Sequence, residues 1–321
     1  MDYIRRSNFN LLVVSAMAIL GVAVFCVPTA SAENFKIDAV KGIQISPTIV
    51  ELNAARGDVY NLTVKITNVT SSDLSYISSV DDFVADGETG SSKIVKDNNL
   101  SATASLKTWV SDIPQFSLQP HESTNVTVNI VIPENAEPGG HYGELRFYQK
   151  SPNLTSSNSV GLSISAGVLL LVRVDGAINE KASLASFYSA KAGTSNFFFE
   201  DSPITFVTRV KNEGNIHIKP VGSIEIKDMF GQVAANISVN TGKSNVLPNS
   251  IRRFESELNK KWMIGHYTAN LALGYGTKGK TVVGSIGFWV VPYKFLAVVL
   301  LSAVAIIFIL SRLIKMYNKH V

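Results

Sequence analysis

Two apolar segments of different kinds, one at each end, constrain this 321-residue chain more than any other feature. Near the start, Arg5 and Arg6 precede the apolar run Leu11–Val24, and Ala30-Ser31-Ala32 closes it with small residues in an A-x-A pattern. Basic, then apolar, then small is the order of a secretory signal peptide, expected over residues 1–32 with cleavage before Glu33. At the other end Phe295–Ser311 holds no charged residue and is mostly Leu, Val, Ile, Ala and Phe. Its 17 residues at about 1.5 Å each give roughly 26 Å, slightly less than a ~30 Å hydrocarbon core. Tyr293 suits the interface, and Lys294 and Arg312 can reach back to the headgroups. The segment reads as one transmembrane helix over 293–313 with a short cytoplasmic tail, 314–321. The other reading, a buried helix of a globular domain, needs later chain to cover it. Arg312, Lys315 and Lys319 after the span, and the leader before the body, agree on one topology. It is single-pass in the plasma membrane, with the N-terminal body outside and the C-terminus in the cytosol.

The formal charge of +4 belongs to the ends. The leader contributes a net +1 and the stretch from Lys294 onward +4, which leaves the external body one charge negative. The basic balance is thus an anchoring signal, and no basic stripe with interleaved aromatics points to nucleic acid. The one cysteine, Cys26, lies in the leader. Lipidation there would want a small residue before it, and Phe25 stands in that place. The exported body has no disulfide and no thiol chemistry, so core burial alone must stabilise it. Cysteine-free exported sandwiches look more bacterial than animal. Asn-x-Ser/Thr sequons occur at Asn61, Asn68, Asn99, Asn125, Asn153 and Asn236. They are glycan sites in a eukaryotic host and ordinary strand and turn residues in a bacterial one.

The body alternates with period two. Asn61–Thr67, Asn125–Ile132, Glu144–Tyr148 and Ser223–Lys227 each place apolar residues at every second position, the pattern of a strand with one face in a core. No stretch between Glu33 and Pro292 shows a sustained helical period. Turn signals such as Arg56-Gly57-Asp58, Pro138-Gly139-Gly140 and Asn212-Glu213-Gly214-Asn215 separate the runs. The expectation is all-β: two tandem immunoglobulin-like β-sandwiches, 33–176 distal and 177–291 proximal to the membrane. The near-continuous apolar run Gly167–Val174 would close the first. Each unit opens with an edge strand and then an alternating strand ending in Asn, at Asn68 and at Asn212. Stacked end to end, sandwiches of about 35 Å would reach roughly 70 Å from the bilayer.

Several motifs invite chemistry. Gly274-Tyr275-Gly276-Thr277-Lys278-Gly279-Lys280-Thr281 satisfies both G-x-x-x-x-G-K-T and G-x-G-x-x-G. A phosphate loop needs a helix immediately after it, whereas Val282–Val291 reads as a strand, so a hairpin turn is expected. Asp81, Asp82, Asp86 and Glu88 form an acidic cluster that calcium or plain solvation would suit, with no EF-hand spacing. The histidines, His121, His141, His217, His266 and His320, lack zinc spacing and read as polar strand or turn residues. No nucleophile elbow appears, so the chain is read as a non-enzyme without cofactor or metal. Phe197-Phe198-Phe199 must expose at least one ring on a period-two strand. It is the candidate partner contact, against the alternatives of a strand buried on both faces or an inter-domain contact. Trp109, Trp262 and Trp289 are expected in the core, with Trp289 also suited to the headgroup level.

Ile45-Ser46-Pro47, the run Pro133–Leu145 containing Pro138-Gly139-Gly140-His141-Tyr142, and the run Val210–Ile224 containing Asn212-Glu213-Gly214-Asn215-Ile216-His217 resemble the WxL-interacting protein family of bacterial cell surfaces. The resemblance implies a non-enzymatic, wall-facing module, the first domain linked to peptidoglycan and the second to other surface or host ligands. It transfers no binding residue. Two functions follow. One is a membrane-anchored surface protein contacting peptidoglycan or cell-surface proteins. The other is a structural or chaperone-like component of a membrane-bound secretion or pilus-like assembly, whose edge strands capture a partner's strand.

Overall fold

A computed structural model describes residues 42–95, 101–149 and 165–318. The leader, Cys26, the sequons at Asn99 and Asn153, His320 and the end of the tail lie outside those residues.

The described chain is mostly β with one C-terminal apolar helix. The first half contributes β1 (Ile43–Ser46), β2 (Ile49–Ala54), β3 (Val59–Asn68), β4 (Leu74–Asp86), β5 (Ser91–Ile94), β6 (Phe116–Leu118), β7 (Ser123–Val131), β8 (Gly139–Gln149) and β9 (Ser165–Val174). The second half contributes β10 (Ala182–Lys191), β11 (Thr194–Ser195), β12 (Phe198–Phe199), β13 (Ile204–Asn212), β14 (Val221–Asp228), β15 (Val233–Val239), β16 (Ile251–Leu258), β17 (Gly265–Tyr275) and β18 (Lys280–Val290). The helix α1 (Tyr293–Asn318) follows.

Sheet β1-β3-β7 packs on a six-stranded sheet ordered β2-β9-β8-β4-β5, with β6 also paired to β4. The alternating residues fill the space between: Val64 and Ile66 of β3, Val128 and Ile130 of β7, Leu145 and Phe147 of β8, and Val168, Leu170, Val172 and Val174 of β9. The chain changes sheets at Pro47, so β1 runs antiparallel to β3 while β2 runs parallel to β9. A second core lies between sheet β11-β10-β13-β16 and sheet β12-β18-β17-β14-β15. Its centre is Phe206, Phe288, Ile204, Ile224, Leu271 and Leu273. Each such side chain contributes about 1.5–3 kcal/mol on burial, and no disulfide assists.

Both halves use one polar device. Asn68 ends β3 fully buried and its amide donates to the carbonyls of Ser72 (2.8 Å), Leu118 (3.2 Å) and Gln119 (3.0 Å). Asn212 ends β13 fully buried and donates to the carbonyls of Ile216 and Val246, both at 2.8 Å, while its Oδ1 accepts from the Gly214 amide at 2.9 Å. In each case a buried side chain closes the turn that leaves the strand, since a buried main-chain group without a partner is costly.

Two residues, Val291 and Pro292, separate β18 from α1. The helix is long and apolar enough to cross a membrane, with mean hydropathy 2.7 and no residue of its span buried within the protein.

Candidate functional site

The two stretches that carried the family resemblance meet each other. The Gly140 amide donates to the Asn215 carbonyl at 2.8 Å, and the Asn215 amide reaches the Pro138 carbonyl at 3.4 Å. The Tyr142 hydroxyl accepts from the His217 main-chain N–H at 2.7 Å and stands 3.3 Å from its Nδ1. Their rings meet edge-on with centroids 5.7 Å apart. On β4, Phe83 packs against Tyr142 at 6.0 Å. Phe83, Tyr142 and Leu171 alternate out of the first core, yet Phe83 and Leu171 are buried. The second sandwich therefore seats on the outer face of the six-stranded sheet. This corrects the end-to-end stacking expected from sequence, because the outward residues of β4, β8 and β9 include apolar ones that need cover.

Charged pairs frame the joint. Arg209 of β13 donates through both Nε (2.7 Å) and Nη2 to the carboxylate of Glu88, in the turn after β4. The Arg253 amide donates to the Glu88 carbonyl at 2.9 Å, so this turn lies along the outer edge of β16. The Arg209 hydrogen bond, with its charge and that of Arg253, holds the Glu88 carboxyl below its ordinary range against the effect of burial. On the other side Glu51 of β2 accepts from Lys219 Nζ at 2.5 Å and from the Asn245 amide at 2.8 Å. Burial alone would raise Glu51, but those hydrogen bonds and the Lys219 charge bring it below the usual value. His217 is pushed down by burial, a shift that Glu51 opposes and that Lys219 and Arg173 reinforce. Burial likewise drives the Tyr142 phenol up. Tyr142 and His217 thus meet as neutral partners at pH 7.

Between the sandwiches lies a cavity of about 360 Å³. One wall is the outer face of the six-stranded sheet, with Ile49, Glu51, Leu169 and Leu171; the other includes Lys219, Asn245 and Arg252. The Arg252 guanidinium is held by the Asn245 carbonyl at 2.7 Å, and burial lowers its pKa. A second space of about 430 Å³ adjoins it beside His217, Arg173 and the Gly274–Thr277 turn. Sequence reading missed this cleft. Its local signal was the two glycine- and asparagine-rich stretches that turn out to face each other.

The residues singled out from sequence fall as follows. The Phe triplet lies elsewhere, beside the root of α1: Phe197 and Phe198 are 69% and 44% exposed, and Phe199 is 1% exposed against Phe288. Phe199 is thus a core residue and no partner contact, because β12 pairs with the end of β18 and turns every second ring inward. Trp109 is in the first core, but Trp262 and Trp289 are exposed, which corrects their placement in a core. The phosphate-loop look-alike is the hairpin between β17 and β18, with Tyr275 paired to Lys280. Its Thr277 amide and hydroxyl donate to the Glu180 carboxylate at 2.9 and 3.0 Å, so an internal carboxylate takes its donors. Asp81 pairs with Arg146 at 2.5 Å, and the buried Asp82 accepts from Ser105 at 2.5 Å. Adjacent residues of a strand face opposite ways, so the acidic run does not converge; among the described residues no three His, Asp, Glu or Cys side chains gather as a metal site. Both ring nitrogens of His141 face main-chain carbonyls, of Ala104 and Glu137, each at 2.8 Å.

No family model matches the chain, and no curated protein matches it. Among solved structures it is similar to the class 5 fimbriae chaperone CfaA, at 11% identity, covering 76% of this chain and 98% of that one with a TM-score of 0.39. It is similar to the Pseudomonas aeruginosa CupB2 chaperone at 13% identity, 77% and 100% coverage and a TM-score of 0.35. The E. coli chaperone DraB gives 14% identity, 78% and 96% coverage and a TM-score of 0.34. At such scores the function has to be argued from this chain's own geometry.

Proposed function

We propose that this chain is a non-enzymatic, membrane-anchored binding protein with an external body of two immunoglobulin-like sandwiches. It takes an extended segment of a partner protein into the cleft between them, as a structural or chaperone-like component of a membrane-bound assembly. One observation carries the reading: among the described residues no strand pairs with the outer edge of β2, which opens on the cleft. The Thr48 and Ala54 carbonyls accept from Leu169 and Asp175, both at 2.9 Å, so even-numbered positions of β2 face β9. Odd-numbered positions turn their main-chain groups away from it. The Asn53 carbonyl takes the Tyr60 hydroxyl at 2.7 Å, which leaves Ile49 and Glu51 presenting a ladder edge beside the cavity. A partner strand added there gains main-chain hydrogen bonds along the edge, and the cavity admits its alternate side chains. Peptidoglycan contact, which the WxL-interacting resemblance implies, is the competing outcome.

The test places a photo-crosslinking benzoylphenylalanine at Ile49 in the full chain in its own membrane, with Lys65 on the opposite sheet as control. The expected result is one discrete protein adduct from Ile49, mapping to a single extended segment and surviving muramidase digestion, and none from Lys65. Retention on purified peptidoglycan with no protein adduct would overturn the proposal in favour of wall binding.

A further inference from the structure

The end of the second sandwich that roots α1 carries large apolar side chains in solvent. Trp262 and Ile264 sit in the loop between β16 and β17, and Phe230 sits in the turn after β14. Phe197 and Phe198 lie at β12, and Trp289 near the end of β18. All are exposed, Trp262 by 76%. Strand register puts them at one end. Asp228 pairs with Tyr267, Gly265 with Val290, and Phe198 with Trp289.

This patch is continuous with the helix. The Trp262 ring meets the Phe295 ring, centroids 6.0 Å apart, and Phe295 is the first residue of the uncharged run. Trp262 therefore lies at the level where the hydrocarbon begins. The junction is tied rather than loose. The Trp289 amide donates to the Phe197 carbonyl at 2.7 Å and the Val291 amide to the Phe199 carbonyl at 2.8 Å. Lys294 pairs with Glu200 at 2.8 Å, and the Leu296 amide donates to the Pro292 carbonyl at 3.0 Å as the helix starts. A span fixed in this way carries the surrounding rings to the same depth. Tryptophan and phenylalanine favour the headgroup boundary, where the ring is dry and the indole N–H finds a partner.

We propose that this end is a bilayer-seating collar: Phe197, Phe198, Phe230, Trp262, Ile264 and Trp289 insert into the headgroup layer around the root of α1. The occupant is the phospholipid surface that holds the helix. The collar fixes the orientation of the second sandwich, and with it the cleft, relative to the membrane. The inference rests on reading α1 as a membrane span.

The test uses the full chain with Cys26→Ser, reconstituted in phosphatidylcholine–phosphatidylglycerol vesicles, with single cysteines carrying an environment-sensitive fluorophore. Lys261→Cys reports the collar, Lys278→Cys the far end of the sandwich, and Ser302→Cys the helix. Lipids bearing a nitroxide near the headgroup are expected to quench the probe at 261 at least two-fold and leave 278 unchanged, with deep-nitroxide quenching at 302. Replacing Phe230 and Trp262 with Ser should abolish quenching at 261 and retain it at 302. Quenching at 302 without quenching at 261 overturns the collar while leaving the span intact. Loss at both positions overturns the membrane reading itself. A disulfide-linked dimer of the unlabelled Lys261→Cys chain, together with no quenching of the labelled one, overturns the collar in favour of a second copy covering the patch.

Discussion

Replacing Asn212 tests whether the buried asparagine device holds the second sandwich and its joint together. Asn212→Ala removes three hydrogen bonds of 2.8, 2.8 and 2.9 Å from a site without solvent. The Val246 carbonyl keeps a second donor, the Ile218 amide at 3.0 Å. The Ile216 carbonyl and the Gly214 amide lose the bond Asn212 gave them. Each of these two buried groups so stranded costs about 1–3 kcal/mol, so the variant should lose about 2–6 kcal/mol. For a domain of ordinary size that is a fall in Tm on the order of 10–20 °C, measured by circular dichroism on the detergent-solubilised full chain. Asn212→Asp discriminates mechanisms. It preserves volume and one acceptor but turns a carboxylate oxygen toward two carbonyls, so it should be at least as damaging as Ala. An Asp variant that melts like the native chain would refute the hydrogen-bond account and leave only a volume effect.

The same substitution should reach the joint. The turn Asn212 closes carries Asn215 and His217, which bond to Gly140 and Tyr142 of the first sandwich. Asn212→Ala should therefore expose the connection at residues 175–181 to limited proteolysis. Asn68→Ala, which unties the corresponding turn of the first sandwich, should lower Tm and leave that connection protected. Equal proteolysis in both variants would refute the assignment of the joint to this turn.

Three other outcomes are expected. Glu88→Ala removes the Arg209 pair, whose two side chains are each about a third exposed, so its stability effect should be about 1 kcal/mol, with cleavage at 175–181 rising several-fold. The native state holds the proton on His217 less readily than the unfolded chain, so its contribution is complete above about pH 6.5 and is lost as pH falls below that through the lower native-state value. Cleavage at the connection should rise between pH 7.5 and 5.5, and His217→Gln should flatten the profile. Glu51 and Glu88 are shifted down, so their contribution is present above about pH 4.5 and fails only at lower pH. Gly222→Ala would drive a Cβ into the Ala272 carbonyl across the β14–β17 ladder and should cost at least about 2 kcal/mol, whereas Gly231→Ala, with φ +80° and open space, should cost about 1 kcal/mol; thermal melts compare them.

What was legible in the sequence was local. Period-two alternation marked β3, β7 and β14 because one face of each is buried. The glycine-rich loop at Gly274 was readable as a hairpin because strands flank it. Charge-free length marked α1. The joint was not readable. Tyr142 and His217 are 75 residues apart, Glu88 and Arg209 121, and Glu51 and Lys219 168. No spacing rule reaches across such separations. Trp262 shows a different limit: its apolar ring says that it avoids water, but not whether the dry side is a protein core or a lipid boundary. The Phe triplet divides, Phe199 into the core and its two neighbours outward.

With α1 in the bilayer, the height of the cleft follows from one strand. β18 runs from Lys280, at the hairpin beside the cleft, to Val290, tied to the helix root. Its 11 residues span about 35 Å at ~3.3 Å each. The strand is clamped at one end by the Lys280 ammonium on the Glu180 carbonyl at 2.5 Å, at the other by the Trp289 amide on the Phe197 carbonyl at 2.7 Å, and by its neighbour β17 along the whole length. The cleft is thus held at a set distance from the membrane, not swung on a linker. A partner anchored in the same bilayer would need about ten extended residues to reach the β2 edge, whereas one delivered from outside would meet it unhindered. Shortening such a partner's stalk below that length should abolish the Ile49 adduct, while lengthening it should change little.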